Sequence, residues 1–148
     1  MLYLDTSFVA PLVLNEDVST QVEGFLTGQT PGSLAISQWT RVEFCSLVAR
    51  QVRMKHFSAR TAEKVLAEFD SVVDESLEVW LPSTADYDLA RGLLARFHSG
   101  LRGGDALHLA IAANHEADTV LTLDEGLLRA ARLLKIPAKR GIRMRGAT

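Results

Sequence analysis

The sequence predicts a three-layer α/β fold, in which a parallel sheet has helices on both of its faces. Two observations lead to this fold class. Short apolar runs alternate along the chain with segments of helical periodicity, and the runs lack the period-two alternation of half-exposed strands. Such strands are typical of parallel sheets, which right-handed helical crossovers cover on both faces. The length of 148 residues predicts a single domain over residues 1–148, because one domain has roughly 150 residues.

The first half of the chain contains two predicted strands, each followed directly by a helix. Residues 2–4 are apolar and stop at Asp5-Thr6-Ser7, residue types that favour the N-cap of a helix. Residues 33–37 form the second predicted strand, and apolar residues such as Trp39 and Val42 recur at helical spacing after it. The predicted helices of this half are a turn containing Pro11, residues 17–28, residues 38–55 and residues 58–76.

The second half repeats the alternation of strand and helix. Residues 77–81 and 119–123 are predicted strands, and the second of these is expected to stop at Asp124. Between them the chain is expected to break at Ser99-Gly100, before Arg102-Gly-Gly-Asp105. The predicted helices of this half are one that starts at Pro82-Ser-Thr-Ala-Asp86 and runs to residue 97, residues 106–115 and residues 125–134.

Composition restricts the classes of function. The net charge is −2 and the sequence pI is near 6.1, so no global basic field favours indiscriminate nucleic-acid binding and any such contact has to be local. The apolar N-terminal stretch contains Asp5 and is shorter than the roughly 20 residues that span a bilayer, which predicts buried structure and no membrane segment. Cys45 is the single cysteine. We expect it to be a small buried hydrophobe on a helix, which fits a cytoplasmic protein.

Four acidic residues form the candidate site. Asp5 and Asp124 directly follow predicted strands, and open parallel sheets bind their ligands beyond the carboxyl ends of the strands. Asp105 follows two glycines, which let a backbone approach another segment or a ligand closely. Glu43 lies on an otherwise apolar helical segment, where a half-buried carboxylate needs a positive partner. Each of the three aspartates could equally be no more than the N-cap of a helix.

A divalent metal ion would satisfy such a set of carboxylates. No lysine or arginine stands out in the sequence as their partner, whereas Mg²⁺ and Mn²⁺ prefer oxygen ligands. A metal-bound water loses a proton more easily than bulk water, and the cation stabilises charge on a phosphorane oxygen. The set therefore predicts phosphodiester hydrolysis with Mg²⁺ as the cofactor and Mn²⁺ as the alternative.

Four segments, in this order, resemble the PIN-domain family and, within it, the VapC-type toxins of bacterial toxin-antitoxin pairs. They are Leu2-Tyr-Leu-Asp-Thr-Ser7, the helical Glu43, Arg102-Gly-Gly-Asp-Ala-Leu-His-Leu-Ala110 and Leu121-Thr-Leu-Asp124. The likeness extends along the chain from Leu2 to a last strand expected around Ile142. It departs from the family pattern at Leu127, where an aromatic residue is frequent.

The resemblance implies a PIN-like fold with a five-stranded parallel sheet and one acidic pocket. In that pocket Asp5, Glu43, Asp105 and Asp124 would be the catalytic metal ligands. Thr6 and Thr122 would be hydroxyls that support the pocket. The implied activity is that of a Mg²⁺-dependent endoribonuclease, which acts on RNA as the toxin of a pair and is restrained by a small cognate antitoxin protein. We also expect a homodimer, because closed two-fold pairs are the commonest oligomers and the related toxins pair.

Other polar residues are less specific. His108 lies one helical turn after Asp105 and could reach the pocket, although a histidine on an apolar helix is more often hydrogen-bonded and structural. Arg50 and Arg53 end the Glu43 helix, where cations offset the helix dipole without any further function. A basic C-terminal tail from about residue 139 suits either solvent or an RNA backbone. Its cations are Lys139, Arg140, Arg143 and Arg145.

Two other functions remain open for the sequence. In a phosphoacceptor α/β domain Asp5 would be phosphorylated, but such a site needs either a second aspartate where Ser7 stands or adjacent acids with a late lysine. In a non-catalytic binding module the fold would be kept and the chemistry lost, since fold alone does not prove activity. Four acids at strand and helix starts favour the nuclease over both.

Overall fold

The protein is described by a computed structural model that covers residues 1–143. The alternation of strands and helices that the sequence predicts is present throughout. In chain order the elements are β1 (Leu2–Leu4), α1 (Thr6–Val9), a 3₁₀ turn (Ala10–Leu12), α2 (Ser19–Thr27), β2 (Leu34–Ser37), α3 (Gln38–Arg53), α4 (Ala59–Ser76), β3 (Glu78–Trp80), α5 (Thr84–Leu94), a second 3₁₀ turn (Phe97–Ser99), α6 (Gly103–Asn114), β4 (Thr119–Leu121), α7 (Glu125–Leu134) and β5 (Ala138–Lys139).

The strands form one parallel sheet of five in the order β3-β2-β1-β4-β5, which confirms the predicted sheet. Leu2 of the central strand β1 pairs with Leu34 on one side and Thr119 on the other. Helix α1, which follows β1, packs on one face of the sheet, and α7, which follows β4, packs on the opposite face. The connections that follow the neighbouring strands β1 and β4 therefore leave toward opposite faces of the sheet. Such a switch point is where open α/β sheets form their binding crevice.

Two hydrophobic cores lie on opposite faces of the sheet and give the three layers. One core packs α5, α6 and α7 against Tyr3, and the other packs α1 to α4 against Leu4. Successive strand residues point to opposite faces, so these two neighbours in β1 serve one core each. Leu127 is completely buried in the first core. Leucine therefore fills the position at which the sequence departs from the family pattern.

Two strand boundaries differ from the prediction. Strand β4 ends at Leu121 and not at residue 123, because the Leu123 N–H donates to the Ser7 hydroxyl and leaves the sheet. The last strand is Ala138–Lys139 and does not lie near Ile142. It forms there because the carbonyls on either side of Ala138 accept hydrogen bonds from the N–H groups of β4 and of the residue after it.

Two helix boundaries also differ. Helix α5 begins at Thr84, inside the predicted start, where Ser83 forms a capping box with Asp86, but it ends at Leu94 and not at residue 97. Helix α6 begins at Gly103 and not at residue 106, so both glycines lie in its first turn.

One face of α3 is more exposed than the sequence indicates. The helix buries Thr40, Phe44 and Val48, which recur every fourth residue. Cys45, one residue further round the helix than Phe44, is exposed, so its predicted burial is wrong. Val42 is likewise 57% exposed. None of the helices within residues 1–143 is long and apolar enough to cross a membrane.

Candidate active site

The ends of the two central strands bring Asp5 next to Thr122. Leu4 of β1 lies opposite Leu121 of β4, so the next residue of each strand emerges at the same edge of the sheet. There the Thr122 hydroxyl donates to Asp5 Oδ2 at 2.5 Å. The Asp5 N–H also donates to the Leu121 carbonyl at 3.1 Å. Beyond the ends of β1 and β4, the Thr122–Asp5 hydrogen bond thus continues to link the two segments.

The Asp5 carboxylate is held from several directions. Its Oδ1 accepts hydrogen bonds from the Ser7 hydroxyl at 2.7 Å and from the Phe8 N–H at 3.1 Å, the second of which caps α1. Ser7 also accepts the Leu123 N–H at 2.9 Å, which ties the β4 loop to Asp5. Asp5 is only 4% exposed. Burial raises the pKa of Asp5 above its usual value, although the hydrogen bonds oppose this rise.

Glu43 enters the same pocket from α3. Its Oε1 accepts the Thr6 hydroxyl at 2.8 Å and lies 2.5 Å from His108 Nε2. His108 is 1% exposed, and its other ring nitrogen lies 2.8 Å from the Tyr3 hydroxyl, which reaches Ser37. Burial raises the pKa of Glu43, but the hydrogen bond and charge of His108 outweigh burial and leave that pKa below its usual value. The expected partner of Glu43 is thus a histidine rather than lysine or arginine.

Asp105 lies in the first turn of α6, close to Glu43. The N-cap position of α6 is Arg102, so the N-cap alternative is wrong for Asp105. A Cβ on Gly104 would lie 3.0 Å from Glu43 Oε2, and the Trp39 indole donates to the Gly104 carbonyl at 3.2 Å. The predicted close approach at this glycine is present. The close approach brings the Gly104 backbone, next to Asp105 in the chain, against the Glu43 carboxylate.

The pKa of the Asp105 carboxylate is affected first by burial and then by its acidic neighbours. It accepts no hydrogen bond from the described part of the chain, unlike the other three acids. Burial raises its pKa to about 6, with the charge of Asp124 as the next contribution. The charges of Glu43 and Asp5 raise this pKa further, and that of His108 lowers it. All four acids therefore belong to one electrostatic neighbourhood.

Asp124 completes the set from the start of α7. Its Oδ1 accepts the Leu127 N–H at 2.9 Å, so Asp124 does cap a helix, as Asp5 does. Its own N–H donates to the Thr122 hydroxyl at 3.1 Å. Asp124 and Asp105 line one cleft of about 260 Å³, together with the side chains of Arg102 and Arg129. Capping occupies one oxygen of Asp124 and leaves the other for this cleft.

The donor set suits a hard divalent cation by its chemistry. Within residues 1–143, no three His, Cys, Asp or Glu side chains converge closely enough to form a ready metal site. Mutual repulsion of carboxylates disfavours such convergence. Mg²⁺ needs only one or two protein carboxylates, because it keeps several water molecules. Among the described residues, no lysine or arginine forms an ion pair with any of the four acids. A cation is therefore still needed to balance their charge.

Sequence reasoning missed the contribution of two residues. Ser7 links Asp5 to the β4 loop, and its position two residues after an acid at a helix start is a signal for such local bonds. Tyr3 was assigned only to a strand, yet its hydroxyl positions His108. Thr6 and Thr122 contact the acids directly, at Glu43 and Asp5.

The basic tail is only partly described. Lys139 belongs to β5, and Arg140 forms an ion pair with Glu125 at the start of α7. Arg143 lines a groove along α7 with Arg129 and Arg132. Arg145 lies outside the described residues. The predicted tail is thus, up to residue 143, partly a strand and partly packed against α7.

The fold and these four acids define a class of protein: a parallel α/β domain with a candidate site made of carboxylates at the carboxyl edge of the sheet. The PIN domain model matches residues 2–133, so the chain belongs to the PIN domain family. No curated protein sequence matches the chain significantly.

Solved structures share the fold at low sequence identity. VapC20 of Mycobacterium tuberculosis, described as a sarcin-ricin loop cleaving toxin, is 16% identical with a TM-score of 0.70, over 88% of this chain and 95% of that chain. FitAcB of Neisseria gonorrhoeae is 16% identical with a TM-score of 0.70, over 95% and 98%. VapBC2 of Rickettsia felis, bound to a promoter DNA fragment, is 17% identical with a TM-score of 0.66, over 94% and 98%.

Proposed function

We propose that this PIN domain is a Mg²⁺-dependent endoribonuclease whose metal ligands are Asp5, Glu43, Asp105 and Asp124, with Mn²⁺ as a possible substitute. The observation that carries the proposal is that four separate segments each bring one carboxylate to the region around the switch point of a parallel sheet. Their charge has no lysine or arginine counterpart within ion-pair distance among the described residues.

In such a site, different residues of the chain would orient the metal ligands and face the substrate. A bound Mg²⁺ would supply an easily deprotonated water and a charge that stabilises the transition state of phosphodiester hydrolysis. Thr122 and Ser7 hold Asp5, and Thr6 and His108 hold Glu43, so two ligands are oriented in advance. Asp105 and Asp124 face the cleft through which a substrate can approach.

The same geometry argues against the two alternative functions. Both oxygens of Asp5 accept hydrogen bonds and the side chain is buried, which suits a fixed ligand better than a phosphorylated nucleophile. A binding module that had lost its chemistry would have no reason to keep four carboxylates together without a lysine or arginine partner among the described residues, because their repulsion is costly.

Product analysis tests the chemistry. RNA incubated with the protein and Mg²⁺ should yield fragments with a 5′-phosphate and a 3′-hydroxyl, since water attacks phosphorus in line. A chelator should stop the reaction and Mn²⁺ should restore it. Products with 2′,3′-cyclic phosphates would reject metal-dependent hydrolysis, because they indicate attack by the RNA 2′-hydroxyl.

We further propose that the protein is the toxin of a toxin-antitoxin pair. The description of VapC20 as a toxin and the protein pairs among the structural neighbours support this role. The partner would be a small antitoxin, one of whose segments covers the acids and offers a cation to them. Expression of the chain alone should slow growth, and co-expression with the neighbouring small gene product should restore it. Normal growth with active enzyme would reject the toxin role and leave the nuclease.

Two finer expectations accompany this role. An enzyme that cleaves cellular RNA works in the cytoplasm, where a free Cys45 fits the reducing conditions. We also propose a homodimer, since isologous pairs are the commonest oligomers. Light scattering should give twice the chain mass of 16.2 kDa, and a monomer mass at concentrations on the order of tens of micromolar would contradict the dimer.

A further inference from the structure

Two clefts flank the four acids, and each cleft holds two arginines. The α3 cleft, of about 310 Å³, is lined by Glu43 and Thr6 and, further along the helix, by Arg50 and Arg53. The α6–α7 cleft, of about 260 Å³, is lined by Asp105 and Asp124 and by Arg102 and Arg129. Each cleft is thus lined both by at least one of the four acids and by two arginines.

The four arginines are available to a ligand. All four side chains are exposed, and within residues 1–143 none of them is within ion-pair distance of a carboxylate. On α3, Arg50 and Arg53 lie roughly 10 Å and 15 Å beyond Glu43 along the helix axis, at 1.5 Å per residue. The spacing of 43, 50 and 53 keeps the three side chains on one side of the helix.

We propose that these arginines form a two-sided track that binds the phosphodiester backbone of single-stranded RNA across the acids, with Arg50 and Arg53 on one side and Arg102 and Arg129 on the other. This inference rests on the proposed nuclease function and names how its site holds the substrate. The acids repel an RNA strand, so binding requires cations next to them. Guanidinium groups bind phosphates in bidentate fashion, and backbone contacts supply most of the affinity. The bases of a single RNA strand are unpaired and can enter small clefts, whereas the bases of a duplex are paired and cannot.

Salt-dependent binding tests the track. Fluorescence anisotropy of a labelled single-stranded RNA is measured in chelator, in an Asp105→Asn background that prevents cleavage, between about 50 and 200 mM salt. The two test variants are Arg50→Gln/Arg53→Gln and Arg102→Gln/Arg129→Gln. The matched control is Arg60→Gln/Lys64→Gln, which removes the same charge from exposed positions on α4, outside both clefts. Thermal melts verify that all variants fold.

Each test variant should lower the slope of log affinity against log salt by about 1.4, because a single strand contributes about 0.7 per neutralised phosphate. The control should leave the slope unchanged. Equal slopes in test and control variants overturn the track, as does tighter binding of a poly-glutamate peptide of equal charge. A loss confined to one pair overturns the two-sided form. No binding by the background protein also overturns the track.

A failure of the track is distinguishable from a failure of the nuclease. Mg²⁺-dependent cleavage by the unmodified chain is measured separately on the same RNA. Cleavage with unchanged salt slopes would leave the nuclease and reject the arginines, whereas absent cleavage with lowered slopes would reject the nuclease and leave an RNA-binding surface.

Discussion

The acidic pocket has two halves that are built differently. In the first half, Asp5 and Glu43 are fixed by hydroxyls and a histidine and lie largely out of solvent, with Glu43 27% exposed. In the second half, Asp105 accepts no hydrogen bond within the described chain, and Asp124 uses one oxygen as a helix cap. The second half lines an open cleft, and there burial and, after it, the charges of the other acids raise the Asp105 pKa.

This difference shows how the fold can tolerate four neighbouring carboxylates. We call Asp5 and Glu43 the oriented half and Asp105 and Asp124 the open half. The oriented half keeps its geometry because each of its carboxylates accepts hydrogen bonds from neighbours that are themselves packed. The open half has carboxylate oxygens without hydrogen-bond donors among the described residues, so it responds to a cation, a proton or a substrate. The two halves should therefore respond differently to the same perturbation, and the predictions below compare these responses.

Activity should be lost from either half. Asp5→Asn and Asp105→Asn each remove one ligand charge at nearly constant volume. Each should lower Mg²⁺-dependent RNA cleavage by more than about 100-fold, since even indirect partners of metal ligands are worth 10–100-fold. Initial rates on a defined RNA measure the loss, with Asp88→Asn on exposed α5 as the control. Full activity in either variant would remove that residue from the site.

Metal binding should stabilise the fold through the open half. Saturating Mg²⁺, at about 100 times its dissociation constant, should add roughly 2.7 kcal/mol to the free energy of unfolding, because the unfolded chain hardly binds it. Asp105→Asn should melt at or above the wild-type temperature in chelator and gain less from Mg²⁺. Equal Mg²⁺ responses in thermal melts would mean that Asp105 does not bind the metal.

The oriented half should depend on its hydroxyls. Thr122→Val and Thr6→Val each remove a donor to one acid without much change of volume. Loss of such a partner should lower cleavage about 10- to 100-fold. Thr27→Val removes a hydroxyl that bonds only the backbone of exposed α2 and should leave cleavage unchanged. If both site variants keep the wild-type rate, Thr6 and Thr122 have no supporting role.

The sequence was sufficient for the fold because its signals are local. Strand, cap and helix signals, such as the apolar run before Asp5, agree with the packed structure, and the parallel order follows from alternation. Boundaries failed where a side chain from elsewhere decides them. Strand β4 ends early because Ser7, far along the chain, takes the Leu123 N–H. The exposure of Cys45 could not be predicted, because its neighbours in sequence are apolar whereas the buried positions of α3 recur at every fourth residue.

The acids themselves could be predicted, but their arrangement could not. Residue types and positions after strands mark Asp5 and Asp124. His108, and not an arginine, faces Glu43. This contact depends on how α6 packs against α3, which no local sequence pattern determines. The placement of Arg50 and Arg53 in a cleft with Glu43, where the sequence indicated only helix-dipole compensation, depends likewise on packing.

Truncation should separate the halves by stability. Asp5→Ala removes the cap of α1 and leaves the Ser7 and Thr122 hydroxyls without their acceptor, so it should cost about 1–3 kcal/mol. Asp105→Ala removes no hydrogen bond and relieves repulsion, so in chelator it should be neutral or stabilising. Urea denaturation of both variants measures the difference. An equal loss in both would mean that the two halves are not built differently.

The smallest expected effect is a pH dependence that belongs to the open half. The folded-state pKa of Asp105 is about 6, above the roughly 3.9 of an unfolded aspartate. The folded protein then binds more protons than the unfolded chain between these values. Its stability in chelator should fall as pH rises from about 4 to about 6 and change little above that. The buried Asp5 adds the same sign, whereas the lowered Glu43 pKa acts below about 4.5 and in the opposite sense.

The comparison with Asp105→Asn isolates this contribution. The variant lacks the titrating group, so its stability should fall less than that of the wild type over the same pH interval. The difference should be modest, because solvent in the cleft screens the Asp105 charge. Saturating Mg²⁺ should remove it, since metal binding requires the ionised carboxylate and gains strength as pH rises. Urea denaturation at pH values from about 4 to 7, with chelator and then with Mg²⁺, measures both slopes. Parallel curves for the two proteins in chelator would show that neither burial nor the neighbouring acids raise the pKa of Asp105 in the folded protein.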